Sequence, residues 1–227
     1  MAALALIRHG AYEQLPNTPS ALQPYPLTPD GMVQVACEAR AFGQWLEQSG
    51  YQPEPEIHCS TLLRAWQTAG IYARELARFF PDRPQLRSFP ALCERSVGAV
   101  ANLSTDEIER IVDQDPRFES LPPGWKSASD FRLPFDGAES LLEAGERVAG
   151  HLRTLPVFSA DRRVQLVIGH GASLRHASYH LNVIEFSDIS RLSMFYGHPV
   201  VIEKQKRNWV RLYGNWKRRP TANDPTD

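Results

Sequence analysis

Cysteine is scarce in this chain. Its three cysteines, Cys37, Cys59 and Cys93, are odd in number, far apart and never spaced C-x-x-C. That pattern excludes a disulfide framework and a structural zinc knuckle, and it is the usage expected of a reducing, cytoplasmic setting. Long apolar runs are missing too. None approaches the ~20 residues that a spanning helix needs, so no membrane partner is expected. The apolar start, Met1 to Ile7, has neither a basic n-region nor a small-residue cleavage site, and it reads as a first strand rather than a signal peptide. Charge of one sign is in no excess, with 25 Lys+Arg against 26 Asp+Glu and a formal net charge of -1. A dedicated nucleic-acid binder needs a marked cationic face, so no nucleic acid is expected as a partner. Lysine is nearly absent: Lys126, Lys204, Lys206 and Lys217 are the complete set. Arginine, whose planar fork holds phosphate or carboxylate through two bonds, supplies the remaining cations.

What is present suffices for a sizeable core, because 227 residues with 42% hydrophobic content can bury most of the surface an unfolded chain exposes. Ala2 to Ile7 and Val164 to Ile168 are continuous apolar runs of strand length, the pattern of strands covered on both faces. Glu56 to Cys59 and Leu86 to Phe89 read as shorter strands. Between them the spacing predicts a helix from Asp30 to about Gln48 with Val33, Cys37, Ala41 and Trp45 on its inner stripe. A second helix, capped by Ser60, would bury Leu62, Trp66, Ala69, Ala73, Leu76 and Phe80. Further helices are expected over 103–112, 138–155 and 172–181, and strands over 189–195, 200–204 and 209–213. Strands alternating with helices predict an α/β fold, a three-layer αβα sandwich with a mainly parallel central sheet. No solenoid repeat or low-complexity linker divides the chain. We therefore read 1–227 as one domain, with the proline-rich excursion at 99–136 as a cap insertion.

Two segments nearly rhyme. Leu6-Ile7-Arg8-His9-Gly10-Ala11 and Val167-Ile168-Gly169-His170-Gly171-Ala172 each place a His-Gly directly after a buried strand. Ligands in open α/β sheets bind at the carboxyl ends of parallel strands, so two imidazoles are aimed at one crevice. The glycine after each histidine lets the chain turn and lets a ligand approach its amide, which makes Gly171 a candidate anion contact. Arg64 falls within the first turn of the helix expected after Ser60, where the macrodipole disfavours a cation by about 0.3–1 kcal/mol. A bound anion reverses that sign, so Arg64 reads as an anion ligand with Arg8 facing it from the first strand.

With these residues in view, the chain resembles the histidine phosphatase superfamily in its phosphoglycerate mutase-like branch. Leu6-Ile7-Arg8-His9-Gly10 is similar to its R-H-G signature. Ser60 to Ala69 resembles its S-x-L-x-R-A-x-Q-T-A element, and Leu92-Cys93-Glu94-Arg95-Ser96-Val97-Gly98 its L-x-E-R-x-x-G element. Gly169-His170-Gly171 corresponds to the second histidine, and Leu27 to Gly31 and Gly137 to Ser140 match two further landmarks in order. The resemblance spans about residues 2 to 180. It implies that His9 is a nucleophile that becomes a phosphohistidine, that Arg8, Arg64 and His170 bind the phosphoryl oxygens, and that Glu94 is the general acid and base. It implies no metal and no cofactor, and it makes a small phosphorylated molecule the partner.

The departures from the pattern bear on the substrate. Mutase-like proteins follow the first histidine with a Glu, a Ser or Thr and a Trp-Asn pair, whereas this chain continues Ala11-Tyr12-Glu13-Gln14-Leu15. Val97 stands where true mutases carry a Tyr, and residues 99–125 offer Arg110 and Arg117 in place of a basic cluster. A bisphosphorylated intermediate would be poorly held there, so a phosphatase is expected ahead of a mutase. Arg95 and Tyr12 are the candidate substrate contacts, and 99–136 the segment that caps the substrate. A third alternative is a catalytically silent module that binds a phosphorylated ligand.

Other features are weaker. His176 and His180, four apart on one expected helix, could chelate a metal but lack H-E-x-x-H and a third ligand. Gly169 to Ser173 is not the G-x-S-x-G of a serine hydrolase. The basic C-terminal stretch from Lys204 to Arg219 reads as a solvated strand edge that resists pairing. Trp209 and Trp216 within it are candidates for a homodimer contact.

Overall fold

The computed structural model describes residues 3–155, 162–206 and 208–219. In chain order its strands are β1 (Ala3–Arg8), β2 (Gln52–Pro53), β3 (Glu56–Ser60), β4 (Gln85–Phe89), β5 (Arg163–Gly169), β6 (Leu192–Ser193), β7 (Pro199–Gln205), β8 (Asn208–Tyr213) and β9 (Lys217–Arg218). Its helices are α1 (Pro29–Ser49), α2 (Leu63–Glu75), α3 (Thr105–Gln114), α4 (Leu141–Arg153), α5 (Gly171–His180) and α6 (Phe186–Ile189).

All six residues of β1 are buried, as are six of the seven in β5, which is why both read as unbroken apolar runs. They pair in parallel, with Ile7 opposite Ile168 and Arg8 opposite Gly169, and the His9 amide donates to the Gly169 carbonyl at 3.0 Å. Because the side chains alternate, Ala3, Ala5 and Ile7 face α1 and α2, whereas Leu4 and Leu6 face α4 and α5. Those two cores make the sheet the middle of three layers. The order is β4-β3-β5-β1-β7-β8, parallel from β4 to β1 and antiparallel from β1 through β7 to β8, while β2 pairs with β5. The fold class read from the sequence is the one observed.

Local chemistry explains the helix boundaries. Thr28 caps α1 through its side chain, accepting from the Gly31 amide at 3.0 Å, and Pro29 occupies the first turn, where its missing N–H costs nothing. Ser104 and Ser140 begin α3 and α4 with reciprocal capping boxes to Glu107 and Glu143.

Three expectations are corrected. The inner stripe of α1 is Val35, Ala39, Phe42 and Leu46, while Val33 is 63% exposed and Cys37 is exposed. Both stripes satisfy helical spacing; the one carrying the large Phe42 buries more apolar area and wins. On α2 the buried side chains are Arg64, Ala65, Thr68, Ala69, Ile71 and Tyr72, whereas Trp66 is 48% exposed. Its inward face serves a polar site as well as the core, which apolar counting cannot detect. Residues 189–195 hold the end of α6 and the two-residue β6 rather than a long strand. The excursion at 99–136 contributes a third apolar cluster of Val100, Ile108, Trp125 and Leu133, joined by Ala21 from the loop after β1. Trp209 and Trp216 pack, half-buried, against the core on the α4/α5 side. No described helix is long and apolar enough to cross a membrane.

Within the layer formed by α4 and α5 the two helices approach closely at Gly145 of α4. A Cβ there would stand 2.4 Å from the His176 Cβ on α5, whereas one at Gly150 of the same helix would meet nothing within 4 Å. Gly145→Ala should therefore destabilise the fold by about 1–3 kcal/mol through overpacking. Gly150→Ala should instead stabilise it by about 0.5–1 kcal/mol through helix propensity. Urea unfolding of the two variants, read against the parent, checks the opposite signs.

Candidate active site

The carboxyl ends of β1, β3 and β5 converge on one chamber. His9 leaves β1 and is 3% exposed, His170 leaves β5 and is fully buried, and their rings lie edge to face with centroids 5.0 Å apart. Gly10 is needed at the first of these turns. A Cβ would sit 2.6 Å from Val35 Cγ2 of α1, and the Gly10 amide donates to Thr68 Oγ1 of α2 at 3.1 Å.

Hydrogen bonding fixes both tautomers. The Gly10 carbonyl can only accept, so His9 Nδ1, at 2.7 Å from it, carries the hydrogen. The Arg64 guanidinium can only donate, so His9 Nε2, 3.2 Å from Arg64 Nε, presents a lone pair. His170 is set the opposite way round. Its Nδ1 accepts from Arg64 Nη2 at 3.2 Å and its Nε2 donates to Ser60 Oγ at 2.8 Å. Burial first, then Arg64, hold both imidazoles well below the ordinary value of 6.5, so both stay neutral in the absence of ligand.

Ser60 is thereby a site residue and not the expected helix cap. Leu62 precedes α2 without a side-chain cap bond, while Ser60 Oγ accepts from His170 and from the Leu62 amide and donates to Cys93 Sγ at 3.3 Å. The hydroxyl is used up by the second histidine.

Arg64 is fully buried and makes no ion pair with a carboxylate among the described residues. Its Nη1 donates to the Gln23 carbonyl at 2.8 Å, and its Nη2 to the carbonyls of Ser20 at 2.8 Å and Ala21 at 3.2 Å. These carbonyls belong to a roof, residues 16–23, braced from within by the buried Gln23 side chain. Gln23 accepts from the Leu15 amide at 2.9 Å and donates to the Pro19 carbonyl at 3.0 Å. A phosphoryl oxygen that takes the Nη donors must displace those carbonyls. Arg8 lies on the other side of His9. It is 6% exposed, donates to the Met194 carbonyl at 3.0 Å and stacks its guanidinium 3.9 Å from the Tyr196 ring. Tyr12 meets His9 edge-on, with centroids 5.3 Å apart, and its ring lies 4.5 Å from the Arg64 guanidinium carbon.

Glu94 is 5% exposed at the far wall. Its Oε1 accepts from two backbone amides, its neighbour Arg95 at 2.9 Å and Ser173 in the first turn of α5 at 3.2 Å. Gly171 opens that same helix. A cavity of about 20 Å³ lies beside the carboxylate, between Pro19, Ser20 and Ala21 of the roof and the cations Arg95, Lys126 and Arg175. This corrects the expectation of a wall poor in positive charge. Arg110 is exposed and the exposed Arg117 is spent on Asp115, but Lys126 lies one residue beyond the 99–125 stretch and Arg175 comes from α5.

His176 and His180 do not form a site together. His176 Nδ1 donates to the Ala172 carbonyl at 2.8 Å and its Nε2 meets Ser129 Oγ at 3.1 Å, while His180 pairs with Glu146 at 3.1 Å and with the Leu142 carbonyl at 3.0 Å. Two contributors were not found from sequence. Arg147 of α4 ties down the segment carrying Glu94, donating to the carbonyls of Ala91, Cys93 and Glu94 at 2.9, 3.1 and 3.3 Å while pairing with Glu139 at 2.7 Å. Tyr196 is the other. Neither has a sequence signal beyond residue type, because what recruits them is the return of α4 and of the β6–β7 segment to the chamber.

The chain is similar to known proteins along nearly its whole length. A family model described as histidine phosphatase superfamily (branch 1) matches residues 4–217. A 2,3-bisphosphoglycerate-dependent phosphoglycerate mutase of Neisseria gonorrhoeae strain FA 1090 is 30% identical, covering 87% of this chain and 92% of its own. One from Parvibaculum lavamentivorans is 29% identical over 91% and 92%. A mycobacterial glucosyl-3-phosphoglycerate phosphatase in complex with inorganic phosphate shares the fold at TM-score 0.66 and 18% identity, covering 94% of this chain and 96% of that one. A phosphoserine phosphatase mutant from Entamoeba histolytica shares it at TM-score 0.63 and 19% identity, covering 94% and 96%. Two strand-end histidines around a buried arginine, on a sheet of this order and along nearly the whole chain, belong to a member of the histidine phosphatase superfamily, branch 1.

Proposed function

We propose that the protein is a phosphomonoesterase working through a phosphohistidine on a small phosphorylated substrate. The carrying observation is the His9 imidazole, whose hydrogen is committed to the Gly10 carbonyl so that Nε2 offers its lone pair between Arg64 and Arg8. In the first step Nε2 attacks phosphorus, the ester P–O bond breaks, and the leaving oxygen takes a proton from Glu94. In the second, Glu94 removes a proton from water, the hydroxide attacks phosphorus, the P–N bond breaks and orthophosphate leaves. Arg8 and Arg64 supply the fixed positive charge that phosphoryl transfer requires, and His170, neutral at rest, joins them by taking up a proton and turning a donor to an equatorial oxygen when the dianion binds. No metal is needed in this scheme, so a chelator should leave turnover unchanged and vanadate should inhibit.

A phosphoglycerate mutase is the second reading. The mutases at 29–30% identity favour it, as does the cationic wall of Arg95, Lys126 and Arg175, which would hold a second anionic group of a substrate. The polar residues expected after His9 and the Tyr expected at Val97 are missing, and this favours loss of the phosphoryl group to water. Incubation with 3-phosphoglycerate separates the two. Orthophosphate release supports the phosphatase, whereas isomerisation stimulated by 2,3-bisphosphoglycerate supports the mutase.

The phosphohistidine itself can be trapped. Quenching the wild type in base during turnover of a labelled phosphomonoester should leave acid-labile, base-stable phosphate on the protein. His9→Ala should leave none and should lose at least about a thousand-fold in kcat. Label persisting in His9→Ala would show that the nucleophile lies elsewhere.

The same neutral imidazoles set a pH dependence of stability. His9 and His170 are held well below 6.5, and His176 is pushed down to about 3 by burial and Arg175. The unfolded chain binds these protons near 6.5 and the folded chain does not. Their contribution is therefore complete above 6.5 and is lost as pH falls below it, by about 1.4 kcal/mol per pH unit for each imidazole still neutral. Urea unfolding at pH 7.5, 6.5 and 5.5 should give a level value above 6.5 and a steep fall below. Equal stability at 7.5 and 5.5 would contradict the buried neutral state.

A further inference from the structure

The Tyr12 hydroxyl is a site group that makes no hydrogen bond among the described residues. The side chain is 93% buried by its 7% exposure, and its Oη is shut off from solvent and has no hydrogen-bond partner. A buried hydroxyl in that condition is a liability to folding that a phenylalanine would remove, since nothing in the resting structure uses it. It is also held in place. Tyr12 pairs with Leu27 across the loop after β1, its ring meets His9 edge-on at 5.3 Å, and the Arg64 guanidinium carbon lies 4.5 Å from its centroid. The charges of Arg64, Glu94 and Arg8 all act on the phenol, so the oxygen shares the chamber with the reacting groups, and burial raises its ionisation to about 12, which keeps the hydrogen on it.

We propose that Tyr12 is a phosphoryl-binding residue: its O–H donates to an equatorial oxygen of the phosphoryl group on His9, once the substrate has displaced the roof carbonyls from Arg64. This rests on the reading of His9 as the phosphoryl acceptor. The tyrosine keeps its proton throughout and forms no covalent bond. It adds a neutral donor beside two cations, and such a donor discriminates the transferring group by geometry rather than by charge.

Tyr12→Phe in the full chain tests this, because it deletes the oxygen and keeps the ring against His9 and Arg64. Hydrolysis of p-nitrophenyl phosphate should fall at least ten-fold in kcat, and the vanadate inhibition constant should rise by a similar factor. The thermal midpoint should stay level or rise, since no resting hydrogen bond is lost. Unchanged turnover and vanadate affinity would overturn the proposal. So would a fall in the thermal midpoint alongside lost activity, which would mark the hydroxyl as structural. Direct vanadate binding by calorimetry separates this from the reading beneath it. A wild type that binds vanadate but hydrolyses nothing, with Tyr12→Phe binding it more weakly, would sink the phosphatase and leave Tyr12 as an oxyanion ligand. A wild type that binds no vanadate would overturn both.

Discussion

Arg64 is a full positive charge with no exposure to water and no ion pair to a carboxylate among the described residues. Burying an unpaired ion costs several kcal/mol even after relaxation, so the fold must answer it with oriented dipoles. It does so with three roof carbonyls and two imidazole lone pairs, each of which can only accept. The demand of one guanidinium therefore dictates both histidine tautomers, draws residues 20–23 down over the chamber and, after burial itself, keeps His9 and His170 neutral. Ser60 follows as a consequence, since it must receive the hydrogen that His170 carries on Nε2.

In the proposed reaction each roof carbonyl on Arg64 would stand in for a phosphoryl oxygen, and exchanging neutral acceptors for charged ones would strengthen the bonds. A phosphoryl group and the roof would then compete for the same N–H donors. Because the donors are already aimed, little reorganisation remains for the chemical step, which is where preorganised sites gain their advantage. Arg147 extends the principle to Glu94. By holding the carbonyls of Ala91, Cys93 and Glu94 it fixes a 3-10 turn and the strandless segment after it, so that Glu94 can rest on the Ser173 amide in the first turn of α5.

The legible part of the site is the part whose placement the backbone decides. His9 and His170 could be put in one crevice because β1 and β5 are apolar enough to announce themselves and because parallel strands in register end together. Arg64 was legible because a cation at a helix N-terminus is out of place without an anion. Ser60 was misread as a cap: a serine before a helix satisfies the same pattern whether its hydroxyl turns to the amides or to a distant imidazole. The stripe of α1, and on α2 the place of Trp66 beside the buried Ala69, Leu76 and Phe80, escape the sequence for a related reason. Spacing fixes a period but not a phase, and on α2 the buried face carries Arg64 and Thr68, which no apolar count would select.

The cationic wall beside Glu94 is illegible in the sequence because it has no local origin. Arg95 follows β4, Lys126 sits in the excursion and Arg175 rides on α5, and each is ordinary in its own segment. Counting cations within one stretch could not find a cluster assembled from three. The division has a physical basis. Chemistry at phosphorus needs groups fixed to strand ends and helix starts, where a shift of an ångström is forbidden by the sheet, whereas recognition of the rest of the substrate tolerates loops and can be rebuilt from different positions. A chain of this family can therefore keep Arg8, His9, Arg64 and His170 where the register puts them and still draw the charge of its wall from residues that no motif names.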